Sequence, residues 1–265
     1  DYGKAMDMTS NWLAIGAPEH SSGGESVGAV YLYRNIGSRW VSGGMLQAPI
    51  QNASDEYGYS VAITDDVLVV GAPGSSNSGS SNEGSVYVYR RDGLNWNFEQ
   101  QLEPDGSNHD AEFGVSVDVQ GDVVAVGAWY AQTTSDSGSV YLYSFNGQIW
   151  ELDQLIQSPD SDGEKQFASS VEIDGDFLAV SDPRADVGPN DDAGAVYIYK
   201  AFSSTIWAFA QKVTSIAATE GGKFGESIDM VGSQLLVGAP ESGSGARGEV
   251  RLFTRSPNVL QITTI

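Results

Sequence analysis

Hydrophobic and polar positions along this chain fall into strand-length runs separated by tight turns, and the runs recur in a fixed order. One copy reads Tyr57-Gly58-Tyr59-Ser60-Val61-Ala62-Ile63, a turn at Thr64-Asp65-Asp66, then Val67-Leu68-Val69-Val70-Gly71-Ala72-Pro73. A Ser/Gly/Asn stretch follows, and then Gly84-Ser85-Val86-Tyr87-Val88-Tyr89. The pattern predicts four strands per copy. The first, such as Ser116-Val117-Asp118-Val119, runs into hairpin-turn residues, Gln120-Gly121-Asp122 here and Asp174-Gly175-Asp176 one copy later. The second, Val67 to Val70 or Val123 to Val126, is apolar at every position and should be covered on both faces. The third, Val86 to Tyr89, is β-branched and aromatic throughout, as a second interior strand should be. The fourth, Trp96 to Leu102, mixes polar with apolar residues and suits an outer edge. No stretch shows an amphipathic helical period.

Four markers track the repeat through the whole sequence. An aromatic residue followed by a small one opens each copy at Tyr2-Gly3, Tyr57-Gly58, Phe113-Gly114, Phe167-Ala168 and Phe224-Gly225, so the small residue recurs every 54 to 57 positions. The second marker is Gly16-Ala17-Pro18 with counterparts at Gly71, Gly127, Ser181 and Gly238. The third is Gly28-Ala29-Val30-Tyr31-Leu32-Tyr33 with counterparts at Gly84, Gly138, Gly194 and Gly248. The fourth is a tryptophan at Trp40, Trp96, Trp150 and Trp207, replaced in the last copy by Leu260. A four-stranded sheet that is apolar on both faces must stack against its sisters, and closed radial stacking of such sheets is a β-propeller. The expected fold is all-β: one propeller of five four-stranded antiparallel blades, near residues 1–54, 55–110, 111–164, 165–221 and 222–265. The alternative is a five-blade portion of a seven-bladed propeller.

Aromatic-Gly, then Gly-Ala-Pro, then Gly-x-Val-Tyr-x-Tyr resembles the FG-GAP repeat, the unit of the integrin α-subunit propeller and of many secreted bacterial and algal proteins. The resemblance spans essentially the whole chain. It implies blades running from the innermost strand outward, in an extracellular or cell-surface protein of adhesion or recognition. Several family blades hold calcium in an Asp-x-Asp-x-Asp-Gly loop between strands one and two. Here that connection is a bare turn, Thr64-Asp65-Asp66 or Gln120-Gly121-Asp122, too short to supply the six to eight oxygens calcium takes. No cofactor is assigned, and calcium remains open only for the long loops.

Composition narrows the partners. Asp and Glu number 35 against 13 Lys and Arg, for a net charge of −22. Such a surface repels phosphate backbones, which argues against nucleic acid, and it favours basic partners; the same charge keeps a sheet-rich surface soluble. With no cysteine, thiol catalysis, disulfides and cysteine-bound zinc are excluded. No apolar run approaches the ~18 residues of a membrane span. Asp1-Tyr2-Gly3 already lies inside a repeat, so the chain reads as a processed piece of something longer.

Alternating strand direction puts the short turns on one face of the propeller and the long, variable connections (18–27, 73–83, 129–137, 183–193, 240–247) on the other, where function is expected. There Trp129-Tyr130 replaces proline and its successor. It reads as a stacking platform for a sugar ring or a partner side chain, or else as an indole packed on a neighbouring loop. In the fourth copy Asp182, Arg184 and Asp186, with Asp191-Asp192 nearby, could hold a hard cation or a basic partner; an internal Asp–Arg pair or a solvated loop is the plainer reading. Asp160, Asp162 and Glu164 alternate like half a calcium loop. His20 and His109 stand in different copies without a neighbouring histidine. Asn52-Ala53-Ser54 is a glycosylation acceptor in a eukaryotic source. No Gly-x-Ser-x-Gly elbow is present, and the entrances to the innermost strands, Lys4, Tyr59, Val115, Ser169 and Glu226, make a poor acid–base set. The expectation is a non-catalytic recognition or adhesion module for protein or glycan. A structural subunit that self-associates in an extracellular assembly is the second reading, and a polysaccharide enzyme using the central funnel is a distant third.

Overall fold

The computed structural model describes residues 1–76, 82–104, 111–130, 138–160, 166–203, 205–242, 247–256 and 259–263. The chain begins with β1 (Met6–Met8) and β2 (Trp12–Ala17), passes a small hairpin of β3 (Ser21–Ser22) and β4 (Glu25–Ser26), and continues with β5 (Ala29–Asn35) and β6 (Trp40–Leu46). Blade two is β7 (Ser60–Ile63), β8 (Val67–Ala72), β9 (Ser85–Asp92) and β10 (Asn95–Leu102). Blade three is β11 (Ser116–Gln120), β12 (Val123–Ala128), β13 (Ser139–Phe145) and β14 (Trp150–Gln157). Blade four is β15 (Val171–Asp174), β16 (Phe177–Asp182), β17 (Ala195–Ala201) and β18 (Trp207–Thr214); blade five is β19 (Ser227–Val231), β20 (Gln234–Ala239), β21 (Glu249–Ser256) and β22 (Val259–Thr263). Each set pairs in sequence order into an antiparallel four-stranded sheet, blade one as β1-β2-β5-β6. The five sheets form a five-bladed β-propeller, with β1, β7, β11, β15 and β19 innermost.

The all-apolar second strands are covered on both faces: β8 is buried at every position, between blade one on one side and blade three on the other. Four apolar clusters of buried side chains are present among the described residues, one in each seam from blade one–two to blade four–five. Every one of these seams is latched in the same way. The opening aromatic of the next blade is fully buried, at 0% exposure for Tyr57, Phe113, Phe167 and Phe224. Its ring meets a tyrosine or phenylalanine of its own third strand edge-on, as Phe113 does Tyr141 at 5.2 Å. Its backbone lies on the glycine that precedes the third strand of the blade before. Gly28 and Gly84 bridge to Tyr57 and Phe113. A Cβ on Gly84 (φ +83°) would stand 2.2 Å from the Phe113 carbonyl oxygen, so glycine is required there for space and for its left-handed backbone.

The fourth marker has a job in the same seams. Trp150 receives a two-way amide clamp from the outer strand before it: Gln100 Nε2 donates to its carbonyl at 2.9 Å and its N–H donates to Gln100 Oε1 at 2.8 Å. Gln154 repeats the clamp on Trp207, at 2.9 and 2.7 Å. The Trp150 indole also donates to Glu99 at 2.8 Å, and Glu99 pairs with Arg90 at 2.6 Å.

Between blade five and blade one, by contrast, the equivalent apolar positions face outward. Tyr2, Met6 and Met8 are 58, 65 and 59% exposed, where their blade-two counterparts Tyr57, Val61 and Ile63 are 0, 7 and 5%. Leu236 and Val250 of blade five are 37 and 64% exposed, where Val69 and Val86 are fully buried.

Candidate binding site

On the long-loop face the connections around blades two and three enclose a cavity of about 350 Å³, lined by Ser54, Glu56, Tyr59, Pro73, Gly74, Asn82, Glu112 and Trp129. Its walls follow from the repeat. Pro73 ends β8, and Gly74 passes so close to Ser54 that a Cβ would sit 2.1 Å from its carbonyl oxygen. Ser54, Glu56, Asn82 and Glu112 all have left-handed backbones, with φ of 68°, 58°, 53° and 51°. Non-glycine residues adopt this conformation at a cost of roughly 1–2 kcal/mol each, and local hydrogen bonds hold them there: Tyr59 N–H to Glu56 O at 3.0 Å, Val115 N–H to Glu112 O and Glu112 N–H to Asn82 O, both at 3.1 Å. Lys223 (φ 50°) occupies the equivalent position before the last opening aromatic, so part of this geometry belongs to the scaffold.

Trp129 is half-buried, and its indole Nε1 is shielded from solvent with no acceptor in reach among the described residues. A buried donor without a partner is uncommon and needs an explanation. Burial pushes the Glu56 carboxyl up; Lys4 works in the opposite direction and Glu19 adds to the rise. Lys4 Nζ lies 4.5 Å over the Tyr59 ring. The cavity is therefore lined by the Trp129 indole, the Tyr59 ring and the acidic residues Glu56 and Glu112.

The other sequence candidates fall elsewhere. Tyr130 is 37% exposed beside Trp129. Asp182 is fully buried at the end of β16, where it accepts the amides of Gln166 and Arg184 at 3.2 and 3.1 Å. Arg184 points to solvent, and half-buried Asp186 accepts the Asp192 amide at 3.0 Å, so these residues turn the loop rather than presenting one carboxylate cluster. Asp191 is exposed, its carbonyl taken by Gly221 N–H at 2.9 Å. Asp160 is satisfied by Lys212 and the Tyr197 hydroxyl, whereas Asp162, Glu164 and His109 lie outside the described residues. Among the described residues no group of three or more His, Asp or Glu side chains is placed to hold a metal ion. Asn52 is exposed, with Nδ2 donating to buried Asp55 at 3.3 Å. His20 Nδ1 lies 3.1 Å from the Tyr31 hydroxyl. In the short turns, Asp65 accepts from Thr9 at 2.7 Å and Asn11 at 3.0 Å, and Asp66 pairs with Arg91 at 3.0 Å.

Sequence reasoning missed a second set of groups. One register position on the innermost strands, opposite Ala14, Val69, Ala125, Ala179 and Leu236, carries Asp7, Ala62, Asp118, Glu172 and Asp229. Four carboxyl groups thus converge on the central channel. Asp7 accepts the edge amide of Ile63 at 2.6 Å, and Asp118 that of Ile173, each tying one blade to the next. Burial pushes Asp118 up to about 7, with Asp7 and Asp174 adding to the rise against the amide bonds. Burial and then the Asp118, Asp229 and Asp7 charges push Glu172 up to about 9. Asp7 is raised by burial as well. The signal was legible in principle: the same offset within each repeat, compared across five copies.

Comparison with known proteins agrees with this architecture. The FG-GAP repeat model matches residues 40–89, 96–143 and 150–199, together more than half of the chain. Mouse integrin alpha-2 is 28% identical over 235 residues, covering 78% of this chain and 19% of that protein. Drosophila melanogaster integrin alpha-PS5 is 28% identical over 224 residues, covering 72% and 21%; the chain thus spans about a fifth of the length of these relatives. Among solved structures, a functionally unknown protein from Desulfotomaculum acetoxidans superposes with a TM-score of 0.57 at 12% identity, over 100% of this chain and 69% of that one. A periplasmic gluconolactonase from Pseudomonas aeruginosa reaches a TM-score of 0.49 at 16% identity. With its repeat matched across three copies and its five latched sheets, the chain belongs to the FG-GAP repeat family.

Proposed function

We propose that this propeller is a non-catalytic, extracellular recognition module that binds a partner protein through its long-loop face, with the Trp129 cavity as the anchor. The observation that carries this reading is a cavity on the long-loop face that brings Glu56, Glu112 and Tyr59 together with Trp129, whose shielded indole N–H has no partner among the described residues. A lysine or arginine side chain entering it would place its charge against the Glu56 carboxylate, beside the Trp129 and Tyr59 rings. The similarity to integrin α-subunits supports an adhesion or binding role and a place at the cell surface. A sugar ring stacked on Tyr59 or Tyr130 is the second ligand class, favoured by the aromatic lining.

Arrays of Arg- and Lys-centred peptides and of glycans, probed with the whole chain, test this. Trp129→Ala and Glu56→Gln should each weaken peptide binding by about tenfold or more, while their melting temperatures stay close to that of the parent. Asp182→Ala should instead lower stability by roughly 1 kcal/mol, because it strips the Gln166 and Arg184 amides of their acceptor, and leave peptide binding intact in the folded fraction. Binding that survives both cavity substitutions would remove this site from consideration.

A further inference from the structure

Each seam has a position near the short-turn face, at the start of the second strand, and three of the four seams fill it with a large side chain. Between blades one and two the filler is Trp12, edge-on to Trp96 at 5.5 Å. Between blades two and three the second strand opens on the smaller Val67, and Arg90 takes the space. Its guanidinium lies 4.3 Å over the Phe145 ring and 6.0 Å from the Trp150 ring, with Glu99 as counter-ion at 2.6 Å. Between blades four and five Phe177 packs on the shared cluster. Between blades three and four every filler is short. Register puts Val123 where Trp12, Val67 and Phe177 stand, and Ser144 opposite it where blade two has Arg90. Ala201, opposite Trp207, replaces Phe145, which stands opposite Trp150. The result is a cavity of about 360 Å³ against Trp207, lined also by Val123, Gly175, Asp176, Ala201 and Phe202.

We infer that this cavity is a binding site for an arginine side chain of a partner polypeptide, whose guanidinium takes from outside the place that Arg90 holds from within one seam earlier. The rest of the Arg90 nest is repeated here. Trp207 stands for Trp150 and is held by the same amide clamp. Asp153 stands for Glu99, each being the residue that its outer strand bulges out of register. Asp176 adds a carboxylate at the cavity itself. Among the described residues neither Asp153 nor Asp176 is ion-paired. A planar guanidinium suits such a place better than an ammonium, because it stacks on a ring while donating sideways. The mouth argues for a polypeptide. Phe202 and Ile206, joined in one turn by Phe202 N–H to Ile206 O at 2.7 Å, are 86 and 54% exposed. Residues flanking an inserted side chain would cover such an apolar rim, which a free small cation would leave bare. The net charge of −22 draws basic partners to this surface as to the other. The site lies on the short-turn face, away from the Trp129 cavity, and is a second contact surface.

The test titrates the whole chain, isotope-labelled at its tryptophan indoles, with the peptide acetyl-Gly-Leu-Arg-Leu-Gly-amide and follows it by NMR, the Trp207 resonance being assigned with Trp207→Phe. Saturable displacement of that resonance is expected. Citrulline in place of arginine keeps the shape and removes the charge, and should weaken binding by about tenfold or more. Asp176→Asn, an exposed position, should weaken it roughly threefold, with a smaller difference at high salt. Ser144→Arg combined with Ala201→Phe rebuilds the filling of the preceding seam; it should abolish the displacement and melt at or above the parent temperature. No saturable displacement at Trp207 up to the peptide's solubility limit, equal binding of the citrulline peptide, or binding that survives the filled cavity overturns the site. Displacement of the Trp129 indole in place of Trp207 would put the arginine on the long-loop face and overturn it as well. Free arginine binding as tightly as the peptide would assign the cavity to a small guanidinium ligand and overturn the choice of occupant.

Discussion

Phe113→Ala is expected to remove ~3–5 kcal/mol of stability, the range for deleting a buried phenylalanine. At about 2–4 °C per kcal/mol for a chain of this size, that is a fall in Tm on the order of 10 °C. Domains have only about 5–15 kcal/mol in hand, so this single substitution removes a large share of the total. The cause is specific. Phe113 is fully buried in the cluster shared by blades two and three, edge-on to Tyr141 at 5.2 Å and Tyr143 at 6.3 Å, with its amide on Glu83 O at 3.1 Å. Tyr2→Ala changes the same letter of the repeat, yet Tyr2 is 58% exposed and should cost less than about 1 kcal/mol. Urea unfolding of the two variants beside the parent measures the difference. Equal losses would show that the aromatic acts within its own blade, and that the seam between blades adds nothing.

The second large effect is a loss of stability as pH rises from 5 to 9. Glu172 and Asp118 keep their protons in the folded chain up to about 9 and about 7, because burial and neighbouring carboxylates disfavour their charge. In the unfolded chain both release them near 4. Between those limits the native state binds more protons, so stability is greatest at the acidic end, declines through neutrality and levels off above the folded value of Glu172. A total on the order of 3 kcal/mol is expected over that window. Glu249 acts in the opposite sense, since Arg251 holds its carboxyl below the usual range. Its contribution is lost only as pH falls below its unfolded value, so the two windows do not overlap. Glu172→Gln should be more stable than the parent at pH 8 and should flatten the profile. A melting temperature that is level from pH 5 to 9, or no gain from the substitution at pH 8, would refute the role of the channel.

Much of the architecture was legible because the latch has a strong chemical signature. A bulky aromatic must be buried, the residue after it must take a left-handed backbone, and the glycine receiving it must leave room for another main chain; Tyr57-Gly58 on Gly28 meets all three demands. The candidate site was harder to see. Trp129 stood out because it breaks the repeat, but its lining partners Glu56 and Glu112 belong to the unremarked residue before each opening aromatic. Asp182 drew notice as a charge in a loop, although it takes the position of Ala17, Ala72, Ala128 and Ala239, which are all buried. The repeat thus carried its burial, and the exception inherited it. The channel carboxylates were hidden for the opposite reason. Asp118 sits in a strand that alternates like any other, and only strand register brings Asp7, Glu172 and Asp229 to the same level.

The sharing of apolar clusters has a consequence for how the molecule comes apart. Each cluster belongs to two successive blades, so blade three is held by two of them and blades one and five by one each. Nearest-neighbour coupling of this kind behaves as a one-dimensional cooperative array, in which terminal units open at lower free energy than interior ones. Local opening is therefore graded from both ends toward the middle. The Trp129 cavity, built on blades two and three, lies in the part of the array that opens last.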